Sequence, residues 1–254
     1  MNPLTVFMGF GSGVLVGVSG IGGAALLTPT LILEGVLPVV AVGSDLLCSL
    51  PTQIFAATLH AANRNVDWAL LLRLCVGAFP GALAGVVLLG LFDRCFGPGT
   101  TNDVLRACLG VVLLVSAAIF ALLPSLPHVP LSFTKGAAAV IAIGTVVGIV
   151  VALTSVGSGS LGLPLLALVA PQREIRIVIG TNAAFSGFVT ALATTGHLEL
   201  GSVDISLTAV LLAGSLPGVY LGNRLSVMLP QAWLRAGIAS VLLLAGTRTL
   251  FSLS

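Results

Sequence analysis

Asp45 is the residue whose type and position in this sequence most clearly suggest chemistry. It lies inside the apolar run 39–62, directly after Ser44. A carboxylate at membrane depth is costly and is a functional candidate by default. The cost of burying its negative charge suits Asp45 to take up a proton. The alternative is that Asp45 lies near the membrane interface or caps a helical turn.

Two glycine-rich stretches break other apolar runs: VGVSGIGGAALLTP at 16–29 and VALTSVGSGSLGLP at 151–164. Non-helical backbone at membrane depth is tolerated only where protein buries it or water solvates it. Each break therefore predicts a cavity, and a helix that restarts after it offers free N–H groups to an anion. The alternative is that the glycines only allow close helix packing. The residues expected to line the site are Ser19, Gly20, Gly22, Gly23, Ser44, Asp45, Thr154, Ser155, Gly157, Ser158, Gly159, Thr181 and Asn182.

The composition identifies the solvent of these segments as lipid. Of 254 residues, 57% are hydrophobic and 7% are charged, against about 25% charged in a soluble domain. Crossing a bilayer takes about 20 apolar residues, and apart from the two broken segments six runs are long enough. These runs are 39–62, 68–91, 105–123, 177–195, 204–223 and 233–251, with short polar loops between them. The predicted fold is an all-α, multi-pass membrane protein.

The chain also resembles itself at a nearly constant offset. A shift of 137 residues places VGSDLLCS (42–49) on IGTNAAFS (179–186), so that Asp45 falls on Asn182. A shift of 135 places Gly22 on Gly157. We therefore predict two homologous repeats, residues 1–123 and 136–254, joined by a linker at 124–135. Each repeat is expected to contain one glycine-broken re-entrant or discontinuous helix and three transmembrane helices.

The cationic residues favour an inverted arrangement of the repeats. Cytoplasmic loops are enriched in Lys and Arg. An inverted arrangement places seven of the 10 on one side of the membrane, whereas a parallel arrangement places six there.

Other polar residues have simpler interpretations. Asp67 and Asp204 each follow a valine and are predicted to be helix N-caps. His60 and His197, near helix ends, are predicted to lie at the interface. The four cysteines show no CxxC spacing, so no disulfide framework, metal or cofactor is expected. No catalytic motif or basic cluster is present, which argues against an enzyme or a nucleic-acid partner.

Four segments resemble the TauE/SafE family of sulfite exporters and related sulfur-anion permeases. They are GIGGAALLTPTL (20–31), VGSGSLGLPLL (156–166), IGTNAAFS (179–186) and GHLELGSVD (196–204). Gly20, Gly22 and Gly23 match the family's glycine-rich element, and Ala24 replaces its last glycine. The resemblance covers nearly the whole chain. It implies transport of sulfite, thiosulfate or an organosulfonate.

The expected function is a secondary carrier or facilitator for sulfite or a related small sulfur anion in the cell (inner) membrane. Protons are the expected coupling ion, and a homodimer is left open. Three alternatives stay open at this point: a passive anion channel, a thiosulfate or organosulfonate permease, and a membrane scaffold that transports nothing.

Overall fold

The computed structural model describes residues 3–19, 24–122, 137–169, 173–226 and 231–251, and every regular element in these ranges is helical. The prediction of an all-helical protein is confirmed. The helices are α1 (Pro3–Ser19), α2 (Ala24–Leu33), α3 (Pro38–Ala62), α4 (Trp68–Leu122), α5 (Ala137–Thr154), α6 (Gly162–Val169), α7 (Ile175–Glu199), α8 (Ile205–Ser226) and α9 (Gln231–Phe251).

Five of these helices are long and apolar enough to cross a membrane. Their apolar stretches are Pro38–Ala62, Trp68–Ile119, Ala137–Thr154, Arg176–Glu199 and Ile205–Gly222. Large apolar side chains cover the outside of the bundle, among them Leu72 and Leu83 on α4. Such a surface is expected where lipid is the solvent. The chain is a multi-pass membrane protein.

Helix α4 is too long to be a single span. Its 55 residues would extend about 80 Å as one helix, whereas the hydrocarbon core is about 30 Å thick. Gly97 has φ 79° and ψ 164°, a conformation that glycine adopts without steric cost. It divides α4 into a first arm, 68–96, and a second arm, 98–122.

The sequence had predicted a polar loop, DRCFGPGTTND, between these two arms. Instead, the chain is helical on both sides of Gly97. Pro98 starts the second arm, a position where its missing N–H costs nothing. The Thr101 hydroxyl donates to the Gly97 carbonyl at 3.0 Å, and the Asn102 amide donates to the Pro98 carbonyl at 2.7 Å. These side chains satisfy the backbone locally, so no longer loop forms.

Glycines bring helix backbones into direct contact in two helix pairs. The most extensive contacts join α1 to α8 and α4 to α5. A Cβ on Gly13 of α1 would collide with the backbone of Ser215 on α8, and one on Gly144 of α5 with the carbonyl of Leu74 on α4. Small residues allow this close approach, which stabilises helix pairs in membranes by van der Waals contact.

Helices α3 and α7 run antiparallel through the centre of the protein. Near the start of α3, a Cβ on Gly43 would lie 3.2 Å from Nδ1 of His197, near the end of α7. Midway, the Thr190 hydroxyl lies 3.1 Å from Oε1 of Gln53. At the other end, Gly180 of α7 meets the backbone of Asn65, which follows α3.

The two predicted aspartate N-caps are present. Oδ1 of Asp67 accepts hydrogen bonds from the N–H groups of Ala69 and Leu70, both at 3.1 Å, at the start of α4. Oδ1 of Asp204 accepts from the N–H group of Leu207 at 2.9 Å, at the start of α8. Both carboxylates satisfy amides that a helix leaves without partners in its first turn.

The contact between α1 and α8 can be tested with two glycines of one helix. We expect Gly13→Leu to lower the free energy of unfolding by about 1–3 kcal/mol or more, because its side chain must displace the α8 backbone. Gly11→Leu is the matched control, because a Cβ there meets nothing within 4 Å. Thermal unfolding of the detergent-purified variants measures the difference. Equal melting temperatures for the two variants would contradict this packing.

Candidate functional site

The second glycine-rich stretch is a true helix break. Helix α5 ends at Thr154, and α6 begins at Gly162. Between them Ser155 has φ 59° and Gly157 has φ 130°, outside the helical region, and a φ of 130° favours glycine. The whole segment 154–162 is buried. The predicted interruption of this apolar run is confirmed.

The backbone amides of the break divide into those with an acceptor and those for which the described residues provide none. The N–H groups of Leu161 and Gly162 both donate to the Gly157 carbonyl, at 3.0 and 2.8 Å, and the N–H group of Val156 donates to the Thr154 hydroxyl at 3.3 Å. Within the described residues, the amides of 157–160 have no such acceptor. Buried N–H groups without partners are rare in proteins. Consecutive amides of this kind are suited to bind an anion.

The Asp45 carboxylate lies beside this break and is 0% exposed. Its Oδ2 accepts hydrogen bonds from the Thr28 hydroxyl at 2.6 Å and from the Ser155 hydroxyl at 3.0 Å. Its Oδ1 accepts from the Ser49 hydroxyl at 3.2 Å. Asp45 is therefore buried inside the protein and faces neither lipid nor solvent.

No cation neutralises Asp45 in the part of the chain that the structure describes. The ion pair found there joins Arg173 to Asp67, with 2.8 Å between Nη2 and Oδ2. A buried charge without a counter-ion is costly, and here only hydroxyl groups offset that cost. Asp45 thus has the surroundings of a group that can exchange a proton or respond to a ligand's charge.

Asn182 borders the same break from the other side. The residue is 5% exposed, and its Oδ1 has no hydrogen-bond partner among the described residues. A Cβ built on Gly162 would lie 2.7 Å from this oxygen, so Asn182 is directly beside the start of α6. Asp45 therefore lies beside one end of the break, where Ser155 contacts it, and Asn182 lies beside the other end.

Ser44 and Thr181, expected in the same shell, are not brought together. The Ser44 hydroxyl accepts from the N–H group of Asp204 at 3.0 Å, and the Thr181 hydroxyl accepts from that of Asp67 at 2.9 Å. These contacts lie at opposite ends of the antiparallel pair α3 and α7. Each hydroxyl holds the start of a neighbouring helix, because its position in the helix directs it towards the adjoining loop.

The remaining predicted residues divide into three groups. The Thr154 hydroxyl is used locally, since it donates to the carbonyls of Val150 or Val156 at 2.7 and 2.9 Å. Ser158 and Gly159 are buried within the break. The side chain of Ser19 and all of Gly20, Gly22 and Gly23 lie outside the described residues.

Sequence reasoning missed Thr28 and Ser49 as partners of Asp45. Ser49 follows Asp45 by four residues, which places both on one face of α3, so this spacing could have indicated it. Thr28 lies on α2, 17 residues before Asp45. Only the packing of α2 on α3 brings the two together, and no local pattern indicates it.

His197, which was predicted to lie at the interface, is enclosed by protein near the end of α7. The residue is 0% exposed. Its Nε2 donates to the Ala152 carbonyl at 2.8 Å, and its Nδ1 lies 2.7 Å from the Ser202 hydroxyl. In a continuous helix the N–H group of Val156 would donate to the Ala152 carbonyl. It donates to the Thr154 hydroxyl instead, so the Ala152 carbonyl lacks its helical partner. His197 caps the broken end of α5.

A helical, multi-pass bundle whose buried polar groups meet at a broken helix defines a class of protein, the membrane transporters. Comparison with known families identifies the group within that class. Residues 5–249 match the model of the family described as "Sulfite exporter TauE/SafE". The chain belongs to this family, as its resemblance had indicated.

Two relatives from Bacillus subtilis (strain 168) align over nearly their whole length. "Probable membrane transporter protein YjnA" is 35% identical over 257 residues, which cover 98% of this chain and 99% of the relative. "Probable membrane transporter protein YunE" is 23% identical over 268 residues, covering 98% and 97%. No solved structure matches the chain. Together with the family match, these relatives support the classification of the chain as a membrane transporter.

The cap on α5 can be tested with the two histidines. We expect His197→Ala to lower the free energy of unfolding by about 1–3 kcal/mol, because it leaves the buried Ala152 carbonyl without a donor. His60→Ala is the control. His60 lies near the end of α3, as His197 lies near the end of α7. It is partly exposed, and its Nδ1 has no partner among the described residues. Thermal unfolding compares the two, and equal losses of stability would rule out the cap.

Proposed function

We propose that this protein carries sulfite, or a related small sulfur anion, across the cell (inner) membrane as a secondary carrier or facilitator. The observation that carries the proposal is the buried break after α5, where the amides of 157–160 face no acceptor within the described residues. The family description names sulfite exporters. An oxyanion of this size needs several donors and no cationic side chain when it binds to backbone amides.

Hydroxyl groups add donors beside these amides. Ser158 is 5% exposed and lies within the run 157–160. Ser160 is also buried, and its hydroxyl lies 3.2 Å from that of Ser116, on the second arm of α4. Asn182 completes the set on the α7 side, since its amide group can turn to present N–H donors. In the proposed site the anion replaces the water that would otherwise satisfy these groups.

Asp45 is the proposed coupling or gating residue. An ionised carboxylate repels a bound anion, and with no water between them the repulsion is strong. Ser155 links Asp45 to the proposed anion site, because its hydroxyl donates to Asp45 and it lies two residues before the amides of 157–160. Binding of the anion therefore favours the protonated carboxyl group. A proton is thus the proposed coupling ion.

The proposed architecture for this transport is a pair of inverted repeats, residues 1–123 and 136–254, joined by a linker at 124–135. The antiparallel packing of α3 on α7 supports inversion, because these two helices occupy the same place in the two halves. At their crossing Gln53 contacts Thr190, and a shift of 137 residues relates these two positions. Two copies related by a two-fold axis in the membrane plane would produce both features.

The proposal is tested by uptake of radiolabelled sulfite into proteoliposomes with and without an imposed pH gradient. Wild type is expected to show saturable uptake that the gradient stimulates several-fold. Asp45→Asn is expected to lose that stimulation, because an amide cannot exchange a proton. Glu34→Gln, which removes an exposed carboxylate at the end of α2, is the control and should behave as wild type.

Each other outcome has a defined meaning. Saturable uptake that ignores the gradient in wild type would make the protein a facilitator and remove the coupling role of Asp45. Uptake without saturation or counterflow would favour a passive channel. If wild type takes up thiosulfate or an organosulfonate but no sulfite, the substrate is that anion. No uptake of any of these by folded protein would contradict the proposed function.

A further inference from the structure

A row of buried polar side chains follows α7 through the centre of the protein. Asn182, Ser186, Thr190 and Thr194 are spaced by four residues and are 5%, 6%, 1% and 2% exposed. Residues at this spacing lie along one side of a helix. The row extends about 18 Å, at 1.5 Å per residue, or more than half of a hydrocarbon core of about 30 Å.

The antiparallel partner α3 presents a matching row. Ser49 and Gln53 follow Asp45 at the same spacing. Oε1 of Gln53 accepts from the Thr190 hydroxyl at 3.1 Å. Because Gly43 lies beside His197, the register places Ser49 about level with Thr194. The two rows thus form one polar seam between α3 and α7, with Asp45 towards one end and Asn182 towards the other.

Two fully buried atoms of this seam have no hydrogen-bond partner in the described part of the chain, Oδ1 of Asn182 and Oγ1 of Thr194. Several helical threonines elsewhere in the chain donate back to a carbonyl one turn earlier. Thr195 does so to Ala191 at 2.8 Å, and Thr145 does so to Ile141 at 3.1 Å. Thr190 donates to Gln53 instead, and Thr194 has neither kind of partner.

Leaving buried polar atoms without partners costs free energy, and the cost is greatest where lipid surrounds the protein. Such atoms are satisfied when a water molecule or a polar ligand forms hydrogen bonds with them. The spacing of the seam offers a new partner about every 6 Å, one helical turn apart. That interval suits a file of water molecules, or a small anion that passes from one set of donors to the next.

We propose that the α3–α7 seam, formed by Ser49, Gln53, Asn182, Ser186, Thr190 and Thr194, is a hydrated path alongside the break after α5, along which the anion moves between the Asn182 end and the Asp45 end of the site. This inference rests on the proposed function. It assigns roles in conduction to Thr194, Thr190, Ser186 and Gln53, whose hydroxyl and amide groups would replace part of the anion's hydration shell.

Cysteine accessibility tests the path without using the transported substrate. In a chain whose four native cysteines are replaced by alanine, Ser186→Cys and Thr194→Cys are treated in proteoliposomes with a small, anionic, membrane-impermeant methanethiosulfonate. Both should react at least tenfold faster than Thr195→Cys, the matched control, whose side chain is exposed on the outside of the bundle. A Thr194→Cys that reacts as slowly as Thr195→Cys overturns the path.

A second measurement uses the native cysteines. Thr194→Val should lower the maximal rate of sulfite uptake by about tenfold, which corresponds to one lost hydrogen bond to an anion. Thr194→Ser should restore it, and Thr195→Val should not change it. Normal uptake by Thr194→Val contradicts the path and leaves the proposed function standing. Fast labelling of Thr194→Cys in a protein that takes up no sulfite supports the path and contradicts the proposed substrate.

Discussion

The Asp45 carboxylate has no contact with solvent, so the protein must supply every donor that stabilises it. The three donors come from three segments: Thr28 from α2, Ser49 from α3 and Ser155 from the break after α5. These segments can meet at one point only if α2 packs on α3 and if α5 stops where it does. His197 secures that second condition, because it caps the freed carbonyl at the end of α5. Hydrogen bonds to this one carboxyl group thus connect α2, α3 and the segment after α5.

Other buried polar groups of the protein differ in whether they have hydrogen-bond partners. Ser44 and Thr181 accept from loop amides, and Asp67 and Asp204 cap helix starts, so the ends of the bundle are well paired. Four buried side-chain atoms have no hydrogen-bond partner among the described residues: Oδ1 of Asn182 beside the break, Oγ1 of Thr194 on α7, Nδ1 of His60 and Nε of Arg106. The hydrocarbon core holds no bulk water that could satisfy such atoms. The two on α7 belong to the proposed path.

Much of this arrangement is readable from the sequence because its causes are local. The glycine-rich stretch 157–162 interrupts a helix, an aspartate after a loop caps the next helix, and a buried carboxylate stands out in an apolar run. Thr28, His197 and the separation of Ser44 from Thr181 were not predicted. They depend on which helices pack together and in which direction, and residue spacing carries little information about either. Gly97 shows that sequence patterns can also mispredict a single element. A loop was expected there, but hydrogen bonds from the Thr101 and Asn102 side chains leave Gly97 as the one non-helical residue.

The tightest helix pairs join opposite halves of the chain: α1 packs on α8, and the first arm of α4 packs on α5. In the proposed pair of repeats, each half has exchanged a helix with the other, in the manner of a domain-swapped dimer fused into one polypeptide. Neither half is a self-contained unit, because on its own it would expose glycine-lined surfaces built to receive the other's backbone. The bodies that move past one another in the proposed transport are therefore mixed groups of helices drawn from both halves.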